Sequence, residues 1–504
     1  MEDVKALVNL LSIQKVKQIE IITENAEMSP MTRQLYEGVR DGLFEDDAAA
    51  SNALYGDNEN NPAYRKLKYR LKQRLINTLF FIDIQEYSKT NYDKALHRSL
   101  KNWSAFKILL GKGLKLTAVD LIESVLKSSI KYDLIELNLL ILKELKFQFG
   151  LYIENKYKHE KYSKLYKEYK HIYDLKELVE DQYVYLAKII VNSKAYEYDE
   201  KIETIENQLY QLNDQIDNID SYHLKFYFFN ALSFIAIIKK DNAELLKICQ
   251  RAISYYSDKS GFSPLALYQF YQKQAIALLS LKAYNEAEKI LNYCFTFNPK
   301  EGSVSWQFNY SYLFTTQILK KDYLAAYEIL SKVLNNKAFR GLNENFRETW
   351  YLKEAFIQLL IIIGKINPAN SDAESLRGFR LSRFMNEVPV FSKDKRGLNI
   401  TINILQMLFL IVEEKFDDVL DKMAALRQYN FRYLKRPEHK RSSSFIKMLL
   451  KIPEGDYSAD LIKQKSSKFY QELLDNPSDY SEHAISLEII PYEQLWEEIL
   501  ELFN

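Results

Sequence analysis

The chain has 504 residues, more than a single compact core usually serves, so either several globular domains or one elongated repeat array is expected. A formal net charge of +1, with 27% charged residues, leaves no global field to steer nucleic acid or an acidic membrane surface. A hydrophobic share of 47% is enough to build a core and excludes global disorder.

Gly is 13 and Pro is 10, both scarce, and neither occurs between Gly150 and Gly261. These residues punctuate strands and tight turns, so the composition predicts helices joined by short polar turns. The start, MEDVKALVNLLSIQKVKQIEII, lacks the basic, apolar and small-residue regions of a secretory signal. The longest apolar runs, Leu359 to Ile363 and Ile404 to Val412, fall well short of the ~18 residues that span a bilayer. Cys249 and Cys294 alone cannot form a disulfide framework. The expectation is a cytoplasmic protein with no membrane span.

Residues 1–83 read as a helical N-terminal module. SPMTRQLYEGVRDG forms a helix closed by Gly42, and EDDAAASNALYG a second closed by Gly56. A third, NPAYRKLKYRLKQRLINTLFFID, opens on Pro62 and carries Leu67, Leu71, Leu75 and Leu79 as one stripe. Arg65, Lys66, Lys68, Arg70, Lys72 and Arg74 surround that stripe. Three short helices ending on a basic one resemble the helix-turn-helix module that some bacterial activators carry before a repeat array. The resemblance implies that Arg65, Lys68 and Lys72 contact nucleic acid or another acidic partner. Against it, the helix has few Asn or Gln for base edges, and Glu45, Asp46 and Asp47 are ready partners for its cations.

Residues 84–365 read as helical repeats. Lys115 to Leu126, KLTAVDLIESVL, is a possible early copy. Further on, Tyr157, Tyr162, Tyr166, Tyr169 and Tyr173 recur at helical spacing, out of 37 tyrosines in all. Rings packed between helices with hydroxyls at the rim explain them better than a tyrosine-lined groove. The clearest unit is Tyr268 to Pro299, YQFYQKQAIALLSLKAYNEAEKILNYCFTFNP. Small Ala275 sits where a neighbouring helix approaches, Tyr284, Ala287, Leu291 and Cys294 share a face, and Pro299 stops the second helix. Related copies are DNAELLKICQRAI around Leu245 and Cys249, KDYLAAYEILSKVL around Tyr323 and Ala326, and EKFDDVLDKMAAL around Phe416 and Val419.

This pattern resembles the tetratricopeptide repeat. The interval from Leu245 to Ala287 is 42 residues, and from Ala287 to Ala326 it is 39, longer than the ~34 of a regular array. HEAT and armadillo repeats, with periods of roughly 40–47, compete; the Tyr-x-x-Ala turns favour the tetratricopeptide type. The resemblance implies an all-α, right-handed superhelix with a concave groove lined by the first helix of each repeat. By position it places Tyr227, Asn230, Gln269, Gln272, Phe308 and Ser311 on that groove, at non-core positions. None is basic, so the acidic C-terminal tails that chaperone-binding relatives clamp do not fit.

Between 366 and 399 an insertion is expected, with Pro368, Gly378, Pro389 and Gly397 as breakers and Arg377, Arg380 and Arg383 at three-residue spacing. Residues 400–504 read as further repeats and a cap, its apolar face Leu495, Trp496, Ile499, Leu500 and Phe503. No catalytic residue, metal site or cofactor is expected. His97, His159, His171, His223, His439 and His483 include no i, i+4 pair, and there is no phosphate loop, dinucleotide fingerprint or nucleophile elbow. The function expected is a non-catalytic scaffold binding a protein or peptide; the alternative is a transcription regulator with a DNA-binding N-terminal module.

Overall fold

A computed structural model describes residues 29–56, 61–81, 90–192, 199–297, 299–371, 373, 395–434, 439–478 and 488–503. Among these residues every regular element is helical and none is a strand. No helix is long and apolar enough to cross a membrane. The chain divides into two compact units, one of Met1–Leu175 with Ser260–Ser263, the other of Lys176–Lys259 with Pro264–Asn504.

The first unit opens with α1 (Pro30–Arg40), α2 (Asp47–Tyr55) and α3 (Pro62–Leu79). Each start is capped by a side chain: Ser29 accepts from Thr32 N, Asp46 from Ala49 N, and Asn61 from Ala63 and Tyr64 N. Gly56, at φ 65°, ends α2 in the left-handed conformation. Leu35, Ala50, Tyr64, Leu67 and Leu71 form a small core. The expected leucine stripe is only half realised, because Leu75 and Leu79 are exposed. At 18 residues α3 outlasts its 11- and 9-residue partners, and its last turns have neither of them to pack on.

The unit continues with α4 (Asn91–Gly111), α5 (Lys115–Lys131), α6 (Ile135–Leu151) and the start of α7 (Lys156–Asn192), within which the division between units falls. Phe106, Val119, Ile122, Ile141, Leu142 and Leu145 are its core, and the early repeat copy at Lys115 to Leu126 is α5. Tyr162 is buried with its ring stacked on Phe149 at 5.7 Å, and Tyr166 and Tyr169 pack half-buried on the same core, as ring packing predicts.

The second unit runs from the end of α7 through α8 (Glu200–Asp217), α9 (Tyr222–Ile238), α10 (Asn242–Ser257), α11 (Leu265–Ser280), α12 (Tyr284–Cys294), α13 (Val304–Leu319), α14 (Tyr323–Leu334) and α15 (Glu344–Ile362). Then come α16 (Lys395–Val412), α17 (Phe416–Tyr433), α18 (Lys440–Leu449), α19 (Lys451–Glu454), α20 (Ala459–Leu474) and α21 (Tyr492–Leu500). Helices pack on their neighbours in sequence, as a helical repeat requires.

The repeat register is written in the backbone. Lys240, Lys282, Lys321, Gly364 and Glu414 all have positive φ, and each closes α9, α11, α13, α15 or α16. They recur roughly every 40–50 residues, the interval of long helical-hairpin repeats. Leu245, Ala287, Ala326 and Val419, one in each second helix, are fully buried. Cys249 and Cys294 are also fully buried as small core residues, their thiol pKa values pushed up to about 12 by burial.

Two expectations change. The insertion ends before residue 399, because α16 already starts at Lys395 and Gly397 is tolerated in its first turn. Asn367 caps a short turn at Pro368–Asn370, while Arg377, Gly378, Arg380, Arg383 and Pro389 lie outside the described residues. The terminal helix α21 buries Leu495, Trp496, Ile499 and Leu500 as expected, but it also reaches back to a repeat about 170 residues earlier. There Gln494 Nε2 donates to Ile318 O and to Tyr323 Oη, and Tyr323 Oη donates to Glu498, at 2.7–2.8 Å.

Candidate functional site

The first helices α9, α11, α13 and α15 are linked to one another by side-chain hydrogen bonds. Lys273 Nζ on α11 donates to Asn230 Oδ1 on α9 at 2.6 Å. Tyr268 Oη donates to Ser305 O on α13 at 2.8 Å, and Gln272 Nε2 bonds both Tyr268 Oη and Ser305 O. Trp350 Nε1 on α15 donates to Gln307 Oε1 at 2.7 Å, and Lys353 Nζ donates to Ser311 Oγ.

These bonds relocate half of the expected groove residues. Counted back from the positive-φ residue that ends each helix, Asn230, Gln272 and Ser311 are equivalent, and Glu354 on α15 is the fourth member. All four are buried. Asn230, Gln272 and Ser311 were expected at non-core positions, yet each is bonded to the next first helix. Tyr227, Gln269 and Phe308 are also mutually equivalent and stay half-buried, so they form the accessible row. Tyr227 leans on Tyr183 at 5.4 Å, and Phe308 packs edge-on against Phe346 at 5.6 Å.

Beneath this row lie charges that sequence reasoning missed. Lys353 is 3% exposed, with Nζ 4.3 Å from the Trp350 ring centre and 5.0 Å from that of Phe314. Burial pulls its pKa down to about 7. Lys273 lies over Phe234 and Phe270, and burial lowers it to about 8 while Cys249 works the other way. Burial raises Glu354 and Glu348 to about 7, with Glu344 adding to the second. Glu348 Oε2 has no hydrogen-bond partner, and neither Glu354 nor Glu348 is ion-paired among the described residues. A readable signal existed: Lys353 and Glu354 are the charged residues in the stretch from Trp350 to Ile363, whose one other strongly polar residue is Gln358. The Lys353 amine is partly uncharged near neutrality, but at 3% exposure a reacting molecule would meet it only if α15 moved.

On the basic helix α3, Arg65, Lys68 and Lys72 are all exposed. Lys68 pairs with Asp47 at 2.5 Å, and Tyr64 Oη donates to the same carboxylate at 2.7 Å. Asp46 serves as the cap of α2. No group of three or more His, Cys, Asp or Glu able to hold a metal ion occurs among the described residues. Comparison with family models, with curated proteins and with solved structures finds no match to this chain.

Proposed function

We propose that this chain is a tetratricopeptide-like, right-handed helical scaffold of the cytoplasm that holds a protein or peptide segment along the first helices of its repeats, without catalysing a reaction. One observation carries the reading: Tyr227, Gln269 and Phe308 recur at equivalent positions of successive first helices and are partly accessible above a buried, hydrogen-bonded row. An extended ligand meets such a row as a repeating surface, with ring faces for apolar contact and an amide for its backbone. A photo-crosslinking residue placed in turn at Tyr227, Gln269 and Phe308 tests it. The same partner should be captured from all three positions and not from Lys247, an exposed residue of a second helix. Capture at Lys247 alone, or of nothing at the row, would reject the scaffold reading.

A second reading, a transcription regulator, is favoured by one observation: Lys66, Arg70 and Lys72 are exposed on α3 with no protein partner among the described residues. Fluorescence anisotropy with duplex DNA at several salt concentrations decides it. Real phosphate contacts would each add about 0.9 to the slope of log affinity against log salt. A flat response leaves the scaffold reading.

A further inference from the structure

The side of α9 away from Tyr227 carries a second arrangement. Lys225 and Phe229 are four residues apart and share a face; Tyr227, midway between them, points elsewhere. That face, together with the end of α8 and the second half of α10, borders an open cleft of about 490 Å³, within the roughly 300–1,000 Å³ range of small-ligand sites.

Lys225 lies in the cleft wall and is 8% exposed. Its Nζ donates to the backbone carbonyl of Asp217 at 3.0 Å and sits 4.4 Å from the Tyr255 ring centre. It makes no ion pair among the described residues, and burial lowers its pKa although Asp217 and Asp220 pull the other way. Arg251 faces the same cleft. Its Nη2 donates to Asn213 Oδ1 at 2.8 Å and to the Asp217 carboxylate at 2.9 and 3.1 Å, while Nε and Nη1 make no hydrogen bond among the described residues. Gln250 and Ser254 add polar groups that also bond nothing there. Asp220 is engaged by Lys259 and Tyr255, and among the described residues the charges that act on Lys225 are the carboxylates of Asp217 and Asp220 and the cations Arg251 and Lys259. In that described set of three cations and two carboxylates, one positive charge is in excess.

A buried ammonium held by one neutral acceptor and a guanidinium with a free edge together match the oxygens of an anion. The cleft is much larger than a bare ion, and Phe229 and Tyr255 supply an apolar wall. We propose that this cleft binds an oxyanion, a carboxylate or a phosphate, carried on a ring-bearing small molecule.

The test is calorimetric titration of the full chain with phenyl phosphate and with benzoate, at low and at raised potassium chloride. Saturable binding that weakens with salt is expected for at least one probe, and which one binds names the group. Lys225→Met should weaken it by about tenfold or more, the worth of one charge-assisted hydrogen bond. Ser254→Trp, an exposed position that fills the cleft without disturbing the buried lysine, should abolish it and covers the case in which Lys225→Met fails to fold. Lys247→Met, on α10 outside the cleft, should leave it unchanged. Absence of saturable heat with both probes, or affinity that survives Ser254→Trp, overturns the proposal.

Discussion

Single positions in this protein are tested hardest where a small side chain sets the distance between helices. Ala287 is 0% exposed on α12, a helix packed against α11 and α13. An Arg there would be both too large and buried without a partner, so Ala287→Arg should cost about 3–5 kcal/mol. Thermal unfolding followed by circular dichroism should show a large fall in midpoint; an unchanged midpoint would mean the residue does not face a helix. Lys353 behaves in the opposite way. It is a buried cation with no anionic partner among the described residues, and the rings around it already suit a thioether. Lys353→Met should therefore be neutral or stabilising at pH 6, with the gain shrinking toward pH 9. Below its folded-state pKa of about 7 the native chain must keep a charge in an apolar site; above it, the unfolded chain alone is protonated, and rising pH favours folding. Urea unfolding at the two pH values checks the sign.

At the scale of elements, one guanidinium joins the segment that leads into α21 to the helices before it. Arg441 on α18 bonds Glu488 and Glu493 and the carbonyls of Leu473 and Asn476, so it ties the end of α20 to the segment that leads into α21. Only Arg offers that fork of donors; Lys could satisfy a fraction of it. Arg441→Met should leave two part-buried acids facing each other and weaken the docking of α21 by roughly 3–5 kcal/mol. Hydrogen exchange should then quicken across 492–500 while α9 to α12 stay protected; unchanged protection at α21 would show that its apolar face and its bonds to Ile318 and Tyr323 hold it without Arg441. The pair Lys68–Asp47 is a contrast, being about half exposed on both sides, and Lys68→Ala should cost under about 1 kcal/mol.

For the molecule as a whole, the buried acids of α15 give its stability an unusual pH response. The folded pKa values of Glu348 and Glu354 are raised to about 7 from an ordinary 4.5. Between those values the folded chain holds protons that the unfolded chain has lost, so their contribution is complete below about pH 4.5 and is lost as pH rises to 7. The slope is at most about 1.4 kcal/mol per pH unit for each group. Asp220, Glu288 and Glu454 are lowered and act in the reverse sense, so a variant isolates the effect better than the native curve. Glu354→Gln should gain stability over the native chain at pH 7.5 and lose that advantage at pH 5. A difference independent of pH would show that Glu354 is ionised in the folded state throughout.

The sequence by itself determined what is local. Breaker scarcity and a period near 3.6 make nearly every element helical, and the Tyr-x-x-Ala turns mark Ala287 and Ala326 as buried because a helix face is legible from spacing alone. The equivalence of Tyr227 with Gln269 and Phe308 follows from the same counting. The tertiary structure decided what each face meets. Spacing placed Asn230, Gln272 and Ser311 away from the apolar face, but could not show that the next first helix would cover them and bond them. It gave no sign that Leu75 and Leu79 would outrun their partner helices, or that α21 would land on Tyr323. The cleft at Lys225 and Arg251 belongs to the same class: its residues come from three helices, and only packing brings those helices to one place. Periodicity says which side of a helix is turned inward, whereas the neighbour it finds there is a long-range contact that no local pattern encodes.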